Sequence, residues 1–201
     1  EVGGQIALVP PGLDLDRFKP QSNPPTGNKK IILAMVRPHT PRRGAATAIA
    51  VLSAIAQRRN DVAIHLFGVS DQEFAALDPA FPCTNHGPVS NADLPALYSQ
   101  AYLYADFSEF HGFGRTIAEA MACGIPCVTT ESGGISAFVQ NEKNALTAPV
   151  NDAAALITGI ETLLDDPALH ATLAAECRES VLPFDRTHSA RETLAFLTRC
   201  L

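Results

Sequence analysis

The feature that most constrains the fold of this chain is an alternation of short apolar runs with longer amphipathic stretches. Four apolar runs predict buried strands, and two weaker candidates add to them: residues 31–36, 62–68, 101–107 and 126–130, then 83–86 and 145–148. Helical patterns lie between them, at residues 44–58, 71–77, 91–100, 115–123 and 134–140. Strands separated by helices in this way predict an α/β fold, a Rossmann-like, doubly wound parallel sheet of about six strands with helices on both faces.

Beyond residue 150 the pattern becomes entirely helical. Residues 151–166, 167–181 and 184–201 each have helical periodicity, which predicts a helical C-terminal tail. Asn151 is suited to cap the first of these helices, and Pro167 suits the first turn of the second.

The start of the chain has a different character from the rest. It begins at Glu1 in an extended apolar stretch, and residues 20–30 have the proline-rich, polar composition of a linker. We therefore expect residues 1–30 to be the end of a preceding domain, itself absent from this sequence, followed by an interdomain linker. Residues 31–201 are expected to form the α/β domain.

Composition and charge exclude several classes of protein. The chain is 46% hydrophobic and 18% charged, which is typical of a globular protein, and its net charge of -6 argues against general binding of nucleic acid or anionic lipid. No apolar run approaches the roughly 20 residues of a transmembrane helix. Five cysteines without a Cys-x-x-Cys pair or a secretory signal predict reduced thiols in a soluble, cytoplasmic protein. Cys123 and Cys127 are expected to pack in the core.

The stretch "EFHGFGRTIAEAMACGIP", residues 109–126, has the features of an anion site. It follows a predicted strand, and Gly112 and Gly114 allow the backbone to approach a ligand closely. A helix is predicted to begin at Arg115 or Thr116, where free backbone N–H groups and the positive end of the helix dipole gather. These residues predict a phosphate in this turn.

Glu119, one turn into this helix, has two interpretations. The segment from Thr116 to Glu119 matches a capping box, in which the glutamate side chain returns to the first N–H of the helix. Alternatively, the carboxylate contacts a ligand bound at the helix start. The local sequence supports both interpretations equally.

A basic cluster follows the first predicted strand. In "VRPHTPRRG" the cationic or potentially cationic residues are Arg37, His39, Arg42 and Arg43. Surface arginines are mostly solvated, so an exposed face is one interpretation. Their position at a strand end, directly before a helix, favours another, because each guanidinium can hold two phosphate oxygens. Two arginines and a helix start together predict a diphosphate site.

A second glycine pair lies in "TTESGGISAF", residues 129–138. Gly133 and Gly134 stand between a predicted strand and a predicted helix. They form either an ordinary turn or a further set of N–H donors for a ligand.

Taken in order, these motifs resemble a known family. The succession of "VPPGLDLDRFKP", "RPHTPRRG", "HGPVSNADLPALYSQAYLYADFS", "HGFGRTIAEAMACGIPCVTTESGG" and "NALTAPVNDAAAL" is similar to the C-terminal half of glycosyltransferase family four. The resemblance covers nearly the whole chain. It implies the donor half of a two-domain GT-B enzyme, with residues 31–201 as the nucleotide-sugar-binding domain.

The resemblance also implies how the diphosphate of the donor is held. Arg37 and Arg43 match the two basic residues that bind it, although their spacing is one residue longer than the common form, so that Arg42 is an alternative to Arg43. The Gly-Phe-Gly turn implies N–H donors at Gly112, Phe113 and Gly114, with Arg115 and Thr116 at the start of the helix behind it.

The rest of the donor site is implied in the same way. Glu119 matches the glutamate that binds the ribose, the backbone of Gly87, Pro88 and Val89 is expected to meet the base, and Gly133 with Gly134 is expected to line the sugar pocket. The implied reaction is a retaining transfer of a hexosyl or deoxyhexosyl group without a metal or other cofactor. An acceptor glycan or lipid-linked glycan would be bound by the preceding domain, which could also make a peripheral membrane contact. This chain alone is expected to be inactive.

Two departures from the family pattern bear on the donor sugar. The first of two glutamates that are separated by seven intervening residues is replaced by His111, and Glu109 lies two residues too early to substitute for it. A later glutamate is replaced by Ala137. We expect the His111 imidazole to lie beside the donor and to bind it more tightly as the pH falls, because an anionic ligand favours the protonated ring. The competing interpretation is that His111 caps the loop and stays neutral.

Two other functions remain open at this stage. His111 and the expected missing domain are compatible with a catalytically silent nucleotide-binding module. An NAD-dependent oxidoreductase would use the glycine turn together with Glu131, but its third glycine would fall on Ile117 and the turn does not follow the first strand.

Overall fold

A single parallel sheet of six strands organises the molecule. The structure is a computed structural model that describes residues 6–21 and 28–200. The strands are β1 (Lys30–Met35), β2 (Val62–Phe67), β3 (Thr84–Asn85), β4 (Leu103–Asp106), β5 (Cys127–Thr130) and β6 (Leu146–Ala148). They are all parallel, in the order β3-β2-β1-β4-β5-β6. The predicted doubly wound sheet is confirmed.

Helices connect the strands and complete the C-terminal end of the chain. They are α1 (Ala45–Arg58), α2 (Asp71–Ala75), α3 (Leu94–Tyr98), α4 (Arg115–Ala122), α5 (Ala153–Asp165), α6 (Pro167–Val181) and α7 (Arg186–Cys200). Each predicted helix has a counterpart, with one difference in type. The segment predicted as a helix at 134–140 is a short 3₁₀ helix, Gly133–Ala137.

The helix start at residue 152 differs from the sequence prediction. Asp152, not Asn151, is the N-cap of α5, and its Oδ1 accepts the N–H of Ala155 at 2.9 Å. Asn151 instead has a left-handed backbone with φ of 64° in the turn before the cap. Pro167 occupies the first turn of α6, as predicted.

Two hydrophobic clusters cover the two faces of the sheet. On one face, apolar side chains of α1 and α5, such as Leu52 and Ile160, pack with residues of β1, β2, β4, β5 and β6. On the other face, α3, α4 and α6 pack around Tyr98, Met121 and Cys177. Cys123 and Cys127 are both buried in this second cluster, which confirms their predicted packing role.

The described part of the N-terminal segment packs against the C-terminal end of the chain. Leu13 and Phe18 are buried in the second cluster. The N–H of Leu13 donates to the carbonyl of Phe184 at 2.8 Å, and the N–H of Arg186 donates to the carbonyl of Leu13 at 2.8 Å. The predicted linker at 20–30 lies largely outside the described residues, so the boundary at residue 30 stays a prediction.

The connections after β1 and β4 diverge to opposite sides of the sheet. From β1 the chain winds outward to β3, and β4 returns to the other side of β1. A crevice opens where neighbouring connections separate in this way, at the carboxyl ends of the strands. Gly44, after β1, packs directly on the backbone of Phe107, after β4. Only glycine fits there, because a Cβ would lie 1.9 Å from the carbonyl oxygen of Phe107.

Within residues 6–21 and 28–200, no helix combines the length and the apolar character that crossing a bilayer requires.

Candidate functional site

A cavity of about 240 Å³ lies in this crevice and gathers residues from the connections that follow β1, β2, β3 and β4. Seven of the residues singled out in the sequence line it: Arg37, Arg43, Pro88, Val89, Arg115, Thr116 and Glu119. Its other walls are largely apolar and were not predicted: Met35, Phe67, Gly68, Asn91 and Leu94. Met35, Phe67 and Gly68 lie at or just after the ends of β1 and β2, whereas Asn91 belongs to the connection from β3 to α3 and Leu94 is the first residue of α3.

The basic cluster divides between the cavity and the surface. Arg37 and Arg43 line the cavity, and the Arg43 side chain is only 20% exposed. Arg42 is exposed outside the cavity, where its carbonyl accepts the N–H of Glu109 at 2.8 Å. His39 is on the surface, with Nε2 3.0 Å from a carboxylate oxygen of Glu73. The geometry therefore favours Arg43 over Arg42 as the partner of Arg37.

The start of α4 is open toward an anion. Gly114 is the N-cap residue, with φ of 88°, and has no side chain to bond the free N–H groups of the first turn. Of the two interpretations of Glu119, the capping box does not form, because Gly114 is the N-cap and Thr116 is already the second residue of the helix. Its hydroxyl lies 3.4 Å from Oδ2 of Asp106, and Glu119 lines the cavity. The backbone N–H groups at this end of α4 are thus available to a ligand.

Glu119 is a buried carboxyl group at the wall of the cavity. It is 4% exposed. Burial raises its pKa to about 7, and the charge of Arg115 opposes this shift only in part. The group is therefore poised between its neutral and charged forms near neutral pH, so a ligand that donates hydrogen bonds to the carboxylate would shift it to the charged form.

The two glycine-rich turns pack directly on each other through their backbones. The N–H of Gly134 donates to the carbonyl of His111 at 2.9 Å. A Cβ on Gly133 would lie 2.1 Å from that carbonyl oxygen, and a Cβ on Gly134 would lie 2.0 Å from the carbonyl oxygen of Gly112. Glycine is required at both positions because any side chain would separate the turns. Phe113 contributes only backbone here, since its ring packs with Phe138 at 5.1 Å between ring centroids.

The loop after β3 supplies the opposite wall. Gly87 has a left-handed backbone with φ of 66°, and its N–H donates to Oδ1 of Asn85 at 3.2 Å. Its carbonyl accepts the N–H of Gly68 at 2.8 Å, which ties this loop to the end of β2. Pro88 and Val89 are held in the cavity wall by these bonds.

His111 lies behind the glycine turn and does not line the cavity. Its side chain is fully buried, with Nε2 3.5 Å from Oδ1 of Asp106. Burial lowers the pKa of the imidazole from its usual value, Asp106 opposes the shift, and Arg43 adds to it. We expected the His111 imidazole to lie beside the donor, but the structure places it within the loop and outside the cavity. The lowered pKa agrees with the competing interpretation, in which the ring stays neutral.

Asp106 is the residue that sequence reasoning missed. It is the last residue of β4, is 3% exposed, and lies between the basic cluster, the glycine turn and α4. The only signal in the sequence was a carboxylate at the end of an apolar run.

Two of the other cavities contain residues of the predicted site: Pro88 and Val89 also line one of about 320 Å³, and Gly133 lines another of about 280 Å³. A larger groove of about 560 Å³ lies between β6, α5 and α6, and none of the predicted site residues lines it. In the described part of the chain, no group of three or more His, Cys, Asp or Glu side chains could hold a metal ion.

Comparison with known proteins agrees with this fold. Residues 29–166 match the family described as glycosyl transferases group 1, and the chain belongs to that family. Its architecture is that of the C-terminal domain of a GT-B glycosyltransferase.

Two relatives and two solved structures illustrate the similarity. The chain is 29% identical over 92% of its length to D-inositol 3-phosphate glycosyltransferase of Salinispora arenicola, covering 48% of that protein. It is 30% identical over 71% of its length to mannosylfructose-phosphate synthase of Agrobacterium fabrum, covering 36% of it. Sucrose-phosphate synthase from Thermosynechococcus elongatus superposes with a TM-score of 0.84 at 27% identity, over 98% of this chain and 53% of that one. Anabaena HepE, in complex with UDP and glucose, shares the fold with a TM-score of 0.79 at 23% identity, over 94% of this chain and 55% of that one. The chain thus spans about half the length of such relatives.

Proposed function

We propose that this chain binds a nucleoside diphosphate sugar and supplies the donor half of a glycosyltransferase. One observation carries the proposal: Arg37, Arg43 and the open start of α4 converge on one cavity that Glu119 also lines. Cations and free N–H groups at one point suit a diphosphate, and a carboxylate nearby suits the hydroxyl groups of a ribose.

The proposed chemistry is departure of the nucleoside diphosphate with transfer of the sugar. Negative charge develops on the diphosphate as its bond to the sugar breaks. Arg37, Arg43 and the N-terminus of α4 would stabilise that charge from fixed positions, so no metal or other cofactor is part of the proposal. Retention at the anomeric carbon is proposed from the family resemblance.

The proposed partners are a nucleotide sugar and a glycan or lipid-linked glycan acceptor. UDP-glucose is the first donor to test, because the fold relative HepE is known in complex with UDP and glucose. Acceptor binding is assigned to the part of the whole protein that this chain does not cover, since the chain spans about half of its relatives. For the same reason we expect this chain alone to bind the donor without transferring its sugar.

A thermal-shift panel tests the proposal directly. UDP, GDP, dTDP, UDP-glucose and GDP-mannose are added separately to the chain, with NAD as the comparison for a dinucleotide site. A ligand at 100 times its dissociation constant adds about 2.7 kcal/mol to the free energy of unfolding, which gives a clear rise in Tm. Stabilisation by NAD alone, or by none of the compounds, would contradict the proposal.

Glu119 gives the donor affinity a predicted pH dependence. If the carboxylate accepts hydrogen bonds from the ribose, donor binding requires the charged form. Because the pKa of Glu119 is raised to about 7, affinity for UDP-glucose should increase as the pH rises from 6 to 8. The increase should be roughly tenfold, the change in the charged fraction over that interval. Calorimetric titrations at several pH values measure it.

The variant Glu119→Gln is the matched control for this titration. It should bind UDP-glucose more weakly than the parent at pH 8 and show no slope with pH. Without ligand, the raised pKa means that the folded parent holds its proton more tightly than the unfolded chain, so its free energy of unfolding should fall as the pH rises toward 7. The Gln variant should lack that fall. Affinity that instead increases toward low pH in both proteins would reject this role.

A further inference from the structure

Asp106 makes contact with each of the three elements that build the proposed diphosphate site. Its Oδ1 accepts the N–H of Ser108 at 2.9 Å and lies 3.5 Å from Nε2 of His111, in the glycine turn. Its Oδ2 lies 3.9 Å from Nη1 of Arg43 and 3.4 Å from the hydroxyl of Thr116, in α4. One carboxylate at the end of β4 is therefore shared by the basic cluster, the turn and the helix.

This placement requires charge compensation, which Arg43 supplies. Asp106 is 3% exposed, and a buried carboxylate without a partner is strongly destabilising. Arg43 is the cation within contact distance, and its side chain also lines the cavity. Arg43 is thus placed between the Asp106 carboxylate and the cavity proposed for the diphosphate.

His111 depends on the same carboxylate. Neither nitrogen of its buried ring has a hydrogen-bond partner within 3.5 Å that meets the usual geometry among the described residues, and Oδ1 of Asp106 lies 3.5 Å from Nε2. A carboxylate at that position favours the tautomer with its proton on Nε2.

We propose that Asp106 is a positioning residue of the donor site, which holds Arg43 toward the diphosphate and fixes His111 as the Nε2–H tautomer. The inference rests on the proposed donor function. It assigns no contact between Asp106 and the donor itself, because Asp106 does not line the cavity and acts through its neighbours.

The variant Asp106→Asn separates positioning from simple loop support. The amide oxygen can still accept the N–H of Ser108, so the loop is retained, but the charge that orients Arg43 is lost. We expect affinity for UDP to fall roughly tenfold, as for the loss of about one charge-assisted hydrogen bond. In the Arg43→Ala background the same change should have almost no effect, because the group through which Asp106 acts is gone.

Two further measurements complete the test. Asp152→Asn is the matched control, because it makes the same chemical change at the N-cap of α5. Asparagine caps a helix as well as aspartate does, so this variant should bind UDP like the parent. Nitrogen-15 NMR of the histidine rings should show His111 protonated on Nε2 in the parent and a changed tautomer ratio in Asp106→Asn.

The outcomes distinguish this inference from the proposed function. If UDP, GDP and dTDP all fail to bind the parent, the proposed function fails, and the histidine spectra then decide the role of Asp106 alone. If UDP binds the parent and Asp106→Asn equally, or if the effects of Asp106→Asn and Arg43→Ala simply add, the positioning of Arg43 is rejected. A His111 ring protonated on Nδ1 in the parent, or unchanged by the substitution, rejects the tautomer assignment.

Discussion

Replacing Gly134 with alanine should destabilise the chain and abolish nucleotide binding together. The new Cβ would lie 2.0 Å from the carbonyl oxygen of Gly112 and 3.0 Å from Cα of Phe113, and both are backbone atoms that no side-chain rotation can move. Overpacking of this kind costs about 2–3 kcal/mol. For a chain of this size that corresponds to a fall in Tm of roughly 5–10 °C. Thermal unfolding and titration with UDP measure the two effects.

Gly112 provides the matched control on the other side of the same contact. A Cβ at Gly112 meets no atom within 4 Å, so Gly112→Ala should leave Tm close to that of the parent. If Gly112→Ala nevertheless binds UDP more weakly, the turn itself approaches the ligand closely. Equal stability of Gly134→Ala and the parent would show that the two glycine turns do not pack as described.

Removing either cavity arginine should weaken binding of the nucleoside diphosphate strongly. Charge-assisted hydrogen bonds contribute roughly 1.5–3 kcal/mol each, so Arg37→Ala and Arg43→Ala should each reduce affinity about 10- to 150-fold. The remaining affinity should depend less on salt than that of the parent, because one charge contact with the ligand has been lost. Titrations with UDP at two salt concentrations measure both changes.

Arg42→Ala is the control that the chain itself provides. Arg42 is adjacent to Arg43 and has the same charge, but its side chain is exposed and does not line the cavity. It should bind UDP almost as the parent does. If Arg42→Ala has the larger effect, the longer spacing of the basic cluster is accommodated by a loop arrangement other than the one described.

The sheet was predictable because its signals are local and strong. The runs at 31–36 and 62–68 have too few polar residues for a surface strand, and they correspond to β1 and β2 within one residue at each end. The segment at 134–140 was less predictable, because its type depends on a distant contact. Gly133 and Gly134 must follow the backbone of the glycine turn, and a tighter 3₁₀ helix results.

The pattern of a capping box illustrates how tertiary structure decides between equal local signals. Both Thr116–Glu119 and Ser70–Glu73 have the required residue types, but only the second forms the box. In the first, Gly114 takes the N-cap position, and the hydroxyl of Thr116 lies near Asp106 instead. Whether the box forms therefore depends on Asp106 at the end of β4, a residue outside the four-residue pattern.

The candidate site was predictable where a residue faces the cavity from the end of a strand or the start of a helix. Position and residue type marked the basic cluster and Glu119 as candidates, the family resemblance singled out Arg37, Arg43 and Glu119, and all three line the cavity. His111 and Asp106 could not be placed in the same way, because their roles depend on burial. From the sequence, a histidine in a loop and an aspartate at a strand end are expected to be exposed. The folded structure shows instead that both are buried and lie 3.5 Å apart.

The position of the cavity between β1 and β4 has a consequence for how the site arises during folding. Arg37 and Arg43 come from the half of the sheet that includes β1, and Thr116 and Glu119 come from the half that begins with β4. The halves join only when Ile32 pairs with Leu103, and contacts so distant in sequence form slowly because closing a long loop lowers chain entropy. A refolding chain should therefore recover its helical signal first and its affinity for nucleotide last.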